Sequence, residues 1–312
     1  MATTQPIKLT PACKGYLWGG TKLREQFHVD RDMDPLAEAW VLSAHKDGQS
    51  VVASGEFAGC SFGEYAEKNA DACGENAARF ADFPVLIKLI DAKQQLSVQV
   101  HPDDVFAREH EGGNGKTEMW YVLSAEEGAA LYYGFAQTVT PDEVRERIAS
   151  GTLDDVLNAV PVKAGDVFFL PPGTVHAIGA GMVICEIQQN SNTTYRLYDY
   201  NRRDKEGNLR ELHVEKALMV SALSPAPVKG GQGDVLADCE YFRVRRVAVN
   251  GEKTEAITPA SFHALVAVDG CGSLLMHGET IEMQQGDSVF IPAQSGEYTL
   301  RGNATFVLTD LP

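Results

Sequence analysis

Positive charge is scarce in this chain. Lys and Arg number 27 against 43 Asp and Glu, a formal net charge of −16 at pH 7. That balance argues against nucleic acid and against an anionic membrane surface as partners, since both select for basic patches. An anionic small molecule stays open only where Lys and Arg gather locally against the global field. Long apolar runs are missing too. No stretch approaches the roughly 18 apolar residues of a membrane span, and the opening "MATTQPIKLTPACKGYLWGG" contains no apolar signal-peptide core. Cys13, Cys60, Cys73, Cys185, Cys239 and Cys271 form no C-x-x-C pair, which suits reduced structural thiols better than a disulfide framework. These absences predict a soluble, cytoplasmic protein. Signatures of common chemistries are also lacking. There is no G-x-S-x-G elbow and no phosphate-loop pattern, and "GAGM" after Ile178 lacks the third glycine of a dinucleotide fingerprint.

What is present is a 312-residue chain with 44% hydrophobic residues, ample for one large domain or two ordinary ones. Short β-rich runs dominate, among them "AEAWVLSAH", "VLIKLI", "LSVQV", "EMWYVL", "DVFFLP", "MVICEIQQ", "HALVAV", "SLLMHG" and "SVFIPA". With Gly, Pro and Asp between them, they predict a mainly β protein, an antiparallel sandwich or barrel. Helical patterning is confined to "FGEYAEKNADACGENAARFAD", "TPDEVRERIASGTLDDVLNAV" and "ELHVEKALMVSALS". The second carries its own start signal, with Thr140, Pro141 at the first helical position and Glu143 three residues on. The Pro- and Gly-rich "SPAPVKGGQGD", Ser224 to Asp234, is the best linker and places the boundary between residues 1–230 and 231–312.

Self-comparison reveals an internal repeat. "GDVFFLPPGTVHAI" and "GDSVFIPAQSGEYTL" align with Gly165 on Gly286, Asp166 on Asp287, Phe169 on Phe290 and Pro171 on Pro292. Two related β-barrels are expected, the first larger and decorated. In this alignment His176 faces Glu297 and Glu118 falls near Phe262, so the second copy is expected to lack a metal that the first one holds.

The chemistry is concentrated in the first copy. In "SVQVHPDD" a period of two puts Val98 and Val100 on one strand face and Gln99 and His101 on the other. Pro102 ends the strand and leaves Asp103 and Asp104 to a turn. Glu118 in "GKTEMWYV" and His176 after "LPPGTV" complete a set of imidazole, carboxylate and amide donors. Such a set suits zinc, manganese or iron, and the absence of cysteine ligands points to a catalytic rather than a structural ion. Taken singly, each has a plainer reading: a residue before a turn, a surface ion pair with Lys116, a strand start. Lys116 lies two positions before Glu118 and so shares its face. Arg196 in "NSNTTYRLYDYNRR" and Lys88 in "LIKLIDA" are further basic candidates, whereas Arg202 and Arg203 in "NRRDKEGN" read as a solvated loop. The other histidines, His28, His45, His110, His213, His263 and His277, show no ligand spacing.

The segments "GYLWGGTKL", "PVLIKLIDAKQQLSVQVHPDD", "GKTEMWYVL", "LPPGTVHAIGAG" and "EIQQNSNTTYRLYDYNR" together resemble the short bacterial form of type I mannose-6-phosphate isomerase, a cupin-fold enzyme, from about Tyr16 to Leu223. The resemblance implies two cupin-like jelly-roll barrels with added helical segments. It implies one zinc ion per chain on Gln99, His101, Glu118 and His176, an active-site Arg196, Lys116 in or beside the pocket, and Lys88 as a second-tier substrate contact. It further implies reversible interconversion of mannose 6-phosphate and fructose 6-phosphate, an aldose–ketose isomerisation through an enediol. Lys116 or a metal-held hydroxide is the expected base, and a monomer or homodimer is expected. Gly115 stands where long-form relatives often carry histidine, so no role for such a histidine carries over. The competing expectations are another metal-dependent cupin enzyme, an oxygenase or a different sugar isomerase, and a regulatory binder with a silent site.

Overall fold

The computed structural model describes residues 4–29, 32–203, 206–231 and 233–312, and its hydrogen-bonding gives three antiparallel sheets. The six-stranded sheet runs in the order Val167–Leu170, Glu118–Ala125, Met182–Gln189, Val85–Ala92, Glu38–Leu42, Ala12–Lys14. The five-stranded sheet runs Tyr195–Tyr198, Val98–Val100, His176–Ala177, Ala130–Phe135, Leu157–Pro161. The eight-stranded sheet holds Val235–Asp238, Arg243–Ile257, Gly296–Asp310, His263–Met276, Ser288–Ile291, Ile7–Thr10 and Val51–Val52, with Glu279–Gln284 paired to its fourth strand. The expected mainly β architecture is present. Each sheet ends on edge strands, so none of them is a closed ring of hydrogen bonds.

Alternation along the strands sorts the core into layers. Ile90, Trp120, Val122 and Ile184 of the six-stranded sheet pack against Leu131 and Tyr133 of the five-stranded one. The opposite face of the six-stranded sheet, with Val85, Ile87, Met119, Tyr121 and Ile187, packs on Val266 and Phe290 of the eight-stranded sheet and on Phe242 and Phe262, which immediately precede two of its strands. Its middle strands Val85–Ala92 and Met182–Gln189 are therefore buried at every position, as expected of strands covered on both faces. Val247, Leu265, Ala267, Leu300 and Phe306 form an interior of their own within the eight-stranded sheet. Outside the five-stranded sheet, Val98, Val100, Tyr195 and Leu197 lie under Val144, Leu153 and Ala217 of the helical segments.

The helical expectations hold in part. Helix Phe62–Lys68 begins at Ser61, whose Oγ accepts from Glu64 N, and two 3₁₀ turns, Ala70–Cys73 and Glu75–Arg79, complete that segment. Thr140 Oγ1 caps helix Pro141–Ser150, which stops at left-handed Gly151 (φ 71°). After that stop the chain makes one 3₁₀ turn and enters strand Leu157–Pro161, where the sequence pattern had predicted continued helix. Pairing with Ala130–Phe135 decides the outcome there. A second correction concerns "HPDD": Asp103 caps helix Asp104–His110 through Phe106 N, so Asp104 is helical rather than part of a turn. "HALVAV" and the "SLLM" of "SLLMHG" fall within one strand, His263–Met276, and His277 and Gly278 form the turn after it. The eight-stranded sheet also takes Ile7–Thr10 and Val51–Val52 from the N-terminal end. Among the linker residues, Lys229 O accepts from Phe169 N at 2.8 Å, and Gln232 lies outside the described residues. No disulfide joins any two of the six cysteines. Among the described residues no helix is long and apolar enough to cross a membrane.

Phe290 joins the layers. Its ring lies 5.1 Å from both Phe62 and Phe262, which ties helix Phe62–Lys68 to the eight-stranded sheet. Phe290→Ala should cost about 3–5 kcal/mol through lost burial and the cavity left behind, read as a lower denaturant midpoint at unchanged slope.

Candidate metal centre

The facing layers bring the predicted residues together. Register places Arg196 opposite Gln99, and Gln99 opposite His176, in one row across the five-stranded sheet. Directly paired residues share a face, and this face is the one turned away from Val98, Val100 and Tyr195. His101 follows the same strand, and Glu118 opens a strand of the six-stranded sheet opposite. One ligand-capable atom from each of His101, Glu118 and His176 lies within 4.8 Å of the others, and all three residues are buried. Gln99 is half-buried at the centre of the row.

The histidine tautomers follow from their partners. His101 Nδ1 is 2.9 Å from Thr193 O and His176 Nδ1 is 2.8 Å from Thr174 O. A carbonyl only accepts, so both protons sit on Nδ1 and both Nε2 atoms present lone pairs. Those atoms face Glu118, with His101 Nε2 3.4 Å from Oε1 and His176 Nε2 3.6 Å from Oε2. Burial pushes both imidazoles below their ordinary range, and nearby Lys116 lowers them further. Burial alone would raise the Glu118 carboxyl, but Lys116, His176 and Lys88 outweigh it and hold it below the usual carboxylate range. Both Glu118 oxygens and His176 Nε2 are buried without a hydrogen-bond partner. Three acceptor atoms that converge without a hydrogen-bond partner fit a divalent cation, which would add its charge to that of Lys116. The outer bonds from Nδ1 to carbonyls are the kind that orient metal-binding imidazoles.

Lys116 shares Glu118's face as its spacing predicts. Its Nζ is 2.5 Å from Glu118 Oε1, as an ion pair outside hydrogen-bonding alignment, and 3.2 Å from His101 Nε2. Arg196 is half-buried; its Nη1 donates to Glu211 O at 2.9 Å, and His213 Nδ1 accepts from its backbone N at 3.2 Å. Lys88 is buried and paired with Glu186 at 3.1 Å. Burial would lower its pKa, but Glu186, Glu38 and Glu118 outweigh that and raise it. Glu186 also accepts from Trp120 Nε1 at 2.9 Å, and the Trp120 ring meets His176 edge-on at 5.2 Å.

Arg202 departs from the solvated loop expected of it. It is half-buried, donates to Gln95 O at 2.6 Å and pairs with buried Asp199. Arg210 Nε reaches the same carboxylate at 2.7 Å. The fork has no spacing signature, because Arg210 comes from beyond the turn. Arg203 is exposed and donates to Gly207 O, in agreement with the expected loop; Asp204 and Lys205 lie outside the described residues.

A mainly β chain with a His, Glu, His group that could hold a metal, enclosed between facing antiparallel sheets, fits the cupin class of protein. Family comparison is more specific. The family model "Phosphomannose isomerase type I, catalytic domain" matches residues 7–132, and "Mannose-6-phosphate isomerase, cupin domain" matches residues 233–310. The Streptococcus mutans protein named "Mannose-6-phosphate isomerase" is 38% identical over 92% of this chain and 92% of the relative. Bacillus subtilis "Mannose-6-phosphate isomerase ManA" is 37% identical over 99% and 100%. The crystal structure of the mannose 6-phosphate isomerase from Bacillus subtilis superposes with a TM-score of 0.89 at 34% identity, covering 97% of this chain and 99% of that one. A putative mannosephosphate isomerase from Archaeoglobus fulgidus gives 0.82 at 25%, covering 99% and 98%. The chain belongs to the type I phosphomannose isomerase family.

The repeated segment folds alike in both copies. Gly165 and Gly286 have φ of 92° and 98°. Asp166 Oδ2 accepts from Lys163 N, and Asp287 Oδ2 from Gln284 N, both at 2.9 Å. Register then corrects the alignment by one residue. Leu170 pairs with Glu118, and its counterpart Ile291 pairs with His263, so His263 and not Phe262 stands at the Glu118 position. His263 Nδ1 is 2.9 Å from Tyr298 Oη, its Nε2 is 3.9 Å from Asp310, and Asp310 is held by both forks of Arg243.

Burial, followed by the charges of Arg245 and Arg243, pushes the pKa of His263 down to about 4. Between that value and the unfolded value of about 6.5, the unfolded chain binds a proton that the folded chain refuses, so stability falls as pH falls. This group should remove about 2 kcal/mol between pH 7 and pH 5. Urea unfolding of His263→Gln at the two pH values should show a pH dependence smaller by that amount.

Proposed function

We propose that this chain interconverts mannose 6-phosphate and fructose 6-phosphate through an enediol, with the centre between the two facing sheets as the active site. The observation that carries this reading is the convergence of His101, Glu118 and His176 beside Lys116 and in the same interior as Arg196, in a chain of this family. Gln99, His101, Glu118 and His176 would hold the ion. Zinc is the proposed occupant, since two imidazoles, one carboxylate and one amide oxygen suit a borderline ion and leave room for substrate. When bound, such an ion supplies Lewis-acid polarisation to the oxygens at C1 and C2.

Moving a proton between C2 and C1 builds negative charge on those oxygens, and that charge sets the barrier. Arg196, fixed by Glu211 O and Ser97 Oγ, places a permanent cation where the charge develops and needs no reorganisation to do so. Lys116 is the candidate to take and return the proton, because it is buried and sits directly against Glu118. Lys88, already matched by Glu186, is kept as a second-tier substrate contact. Trp120 and Tyr133, both buried, form apolar wall around the centre and limit access of water. Residues 1–230 are proposed as the catalytic cupin unit. Residues 231–312 are proposed as a second cupin-like barrel without metal ligands, completed by the strands Ile7–Thr10 and Val51–Val52. A cytoplasmic location fits a substrate of this kind.

A coupled assay with mannose 6-phosphate should show activity that a chelator abolishes and added zinc restores. Metal-loaded protein inactive on that substrate would shift the reading to another metal-dependent cupin chemistry. Arg196→Ala should lower kcat by about 10²-fold or more with metal content retained, and near-normal turnover would remove Arg196 from the mechanism. Glu118→Ala should lose the metal itself, measured by elemental analysis, and a fully loaded variant would refute its ligand role.

A further inference from the structure

Lys116 and Glu118 can act together only if the short segment leading into their strand is fixed, and its backbone is satisfied almost entirely by residues outside that strand. Lys116 N donates to Pro102 O at 3.1 Å, and Ser191 Oγ donates to Asn114 O at 2.8 Å. Gln189 brackets Thr117, its Oε1 accepting from Thr117 N at 2.8 Å and its own N donating to Thr117 O at 3.1 Å. The remaining donor, Gly115 N, is taken by a side chain, Asp104 Oδ1, at 2.8 Å. That same oxygen accepts from Gln189 Nε2 at 2.9 Å. The other oxygen, Oδ2, accepts from Tyr241 Oη at 3.2 Å and from Arg108 at 2.9 Å.

Gly115 makes this grip possible. A Cβ there would stand 2.5 Å from both Asp103 C and Asp104 N, so only a glycine lets the segment come close enough to be held. The helix start fixes Asp104 in turn, because Asp103 caps it.

We propose that Asp104 is a positioning residue for the metal centre. With Gln189 it clamps the Gly115–Thr117 backbone and thereby aims Lys116 and Glu118. Tyr241, from the segment that matches the cupin-domain model, completes the clamp and gives that segment a part in the site. The proposal rests on the isomerase reading for its kinetic readout, but metal affinity tests it independently.

The test compares the full-length parent with Asp104→Ala, Asp104→Asn, Gly115→Ala, Tyr241→Phe and Arg108→Ala. Zinc affinity is measured by chelator competition, and kcat and KM for mannose 6-phosphate at saturating zinc. Asp104→Ala should weaken zinc about tenfold or more and lower kcat by a similar factor, as supporting residues around metal ligands do, with KM within about twofold. Asp104→Asn keeps the oxygen that receives Gly115 N and should recover most of both losses. Gly115→Ala retains every side chain yet blocks the approach, and should reproduce the Asp104→Ala pattern. Tyr241→Phe and Arg108→Ala, which each remove one donor to Asp104 Oδ2, should give smaller losses in the same direction. Parent-like zinc affinity and kcat in Asp104→Ala or Gly115→Ala overturns the clamp, as does an Asp104→Asn variant no better than Asp104→Ala. Should Asp104→Ala not fold, the Gly115→Ala and Asp104→Asn results decide. A parent-like Tyr241→Phe overturns the share given to the C-terminal segment. An inactive parent would count against the isomerase reading alone, since zinc affinity still ranks the variants.

Discussion

The chemistry of this chain depends on one carboxylate buried where nothing donates a hydrogen bond to it. Glu118 is fully enclosed, and neither oxygen has a hydrogen-bond donor. An ionised group so placed is costly unless positive charge stands close. Lys116 and Lys88 supply that charge from the same interior, and each of those lysines would itself be costly without a carboxylate. The alternation continues outward. Lys88 is matched by Glu186, Glu186 takes the Trp120 N–H, and Lys88 lies 5.0 Å from the Trp40 ring centroid. Register puts Trp40, Lys88, Glu186 and Trp120 in one row across the six-stranded sheet. The charge is therefore spread along a ladder of cross-strand pairs that share a face. Losing one member strands its neighbours, so the row stands or falls together.

Such a row can exist only in a sheet shielded on both sides. The eight-stranded sheet and the residues leading into its strands cover the outer face of the six-stranded one with Phe242, Phe262 and Phe290, and the five-stranded sheet covers the inner face. Low dielectric strengthens each pairing. It also makes partnerless atoms at His176 and Glu118 expensive, so their convergence points to a cation rather than to loose packing. The same reasoning separates the second copy of the repeat from the first. There Asp310 is gripped by Arg243, and His263 is bonded to Tyr298, so the groups satisfy one another.

Much of this was legible in sequence, for reasons that also explain what was not. Gln99 and His101 could be placed on one face because period two is a property of strands, and Lys116 and Glu118 follow from the same rule. The paired turns at Gly165 and Gly286 were visible because φ beyond +90° restricts the residue choice at both. The one-residue slip from His263 to Phe262 arose upstream, where only cross-strand register fixes the match. Leu157–Val160 looked helical because apolar spacing there fits either period, and only its partner strand decides. Asp199 with Arg202 and Arg210, and Asp104 with Gly115 and Gln189, are contacts between residues distant in sequence or separated by a turn, and no local pattern encodes them.

Family resemblance and geometry divide the explanation differently. The resemblance could point to Gln99, His101, Glu118, His176 and Arg196 as a set. It could not say why "HPDD" contains a second aspartate or why glycine stands before Lys116. Close approach answers both. Gly115 lies against the backbone of Asp103 and Asp104, so a side chain at 115 would push the strand start away from the helix that carries Asp104. A histidine at that position requires a different path for the segment, with different means of satisfying its backbone donors. The residue before the lysine and the residue after the first aspartate are thus one structural choice rather than two.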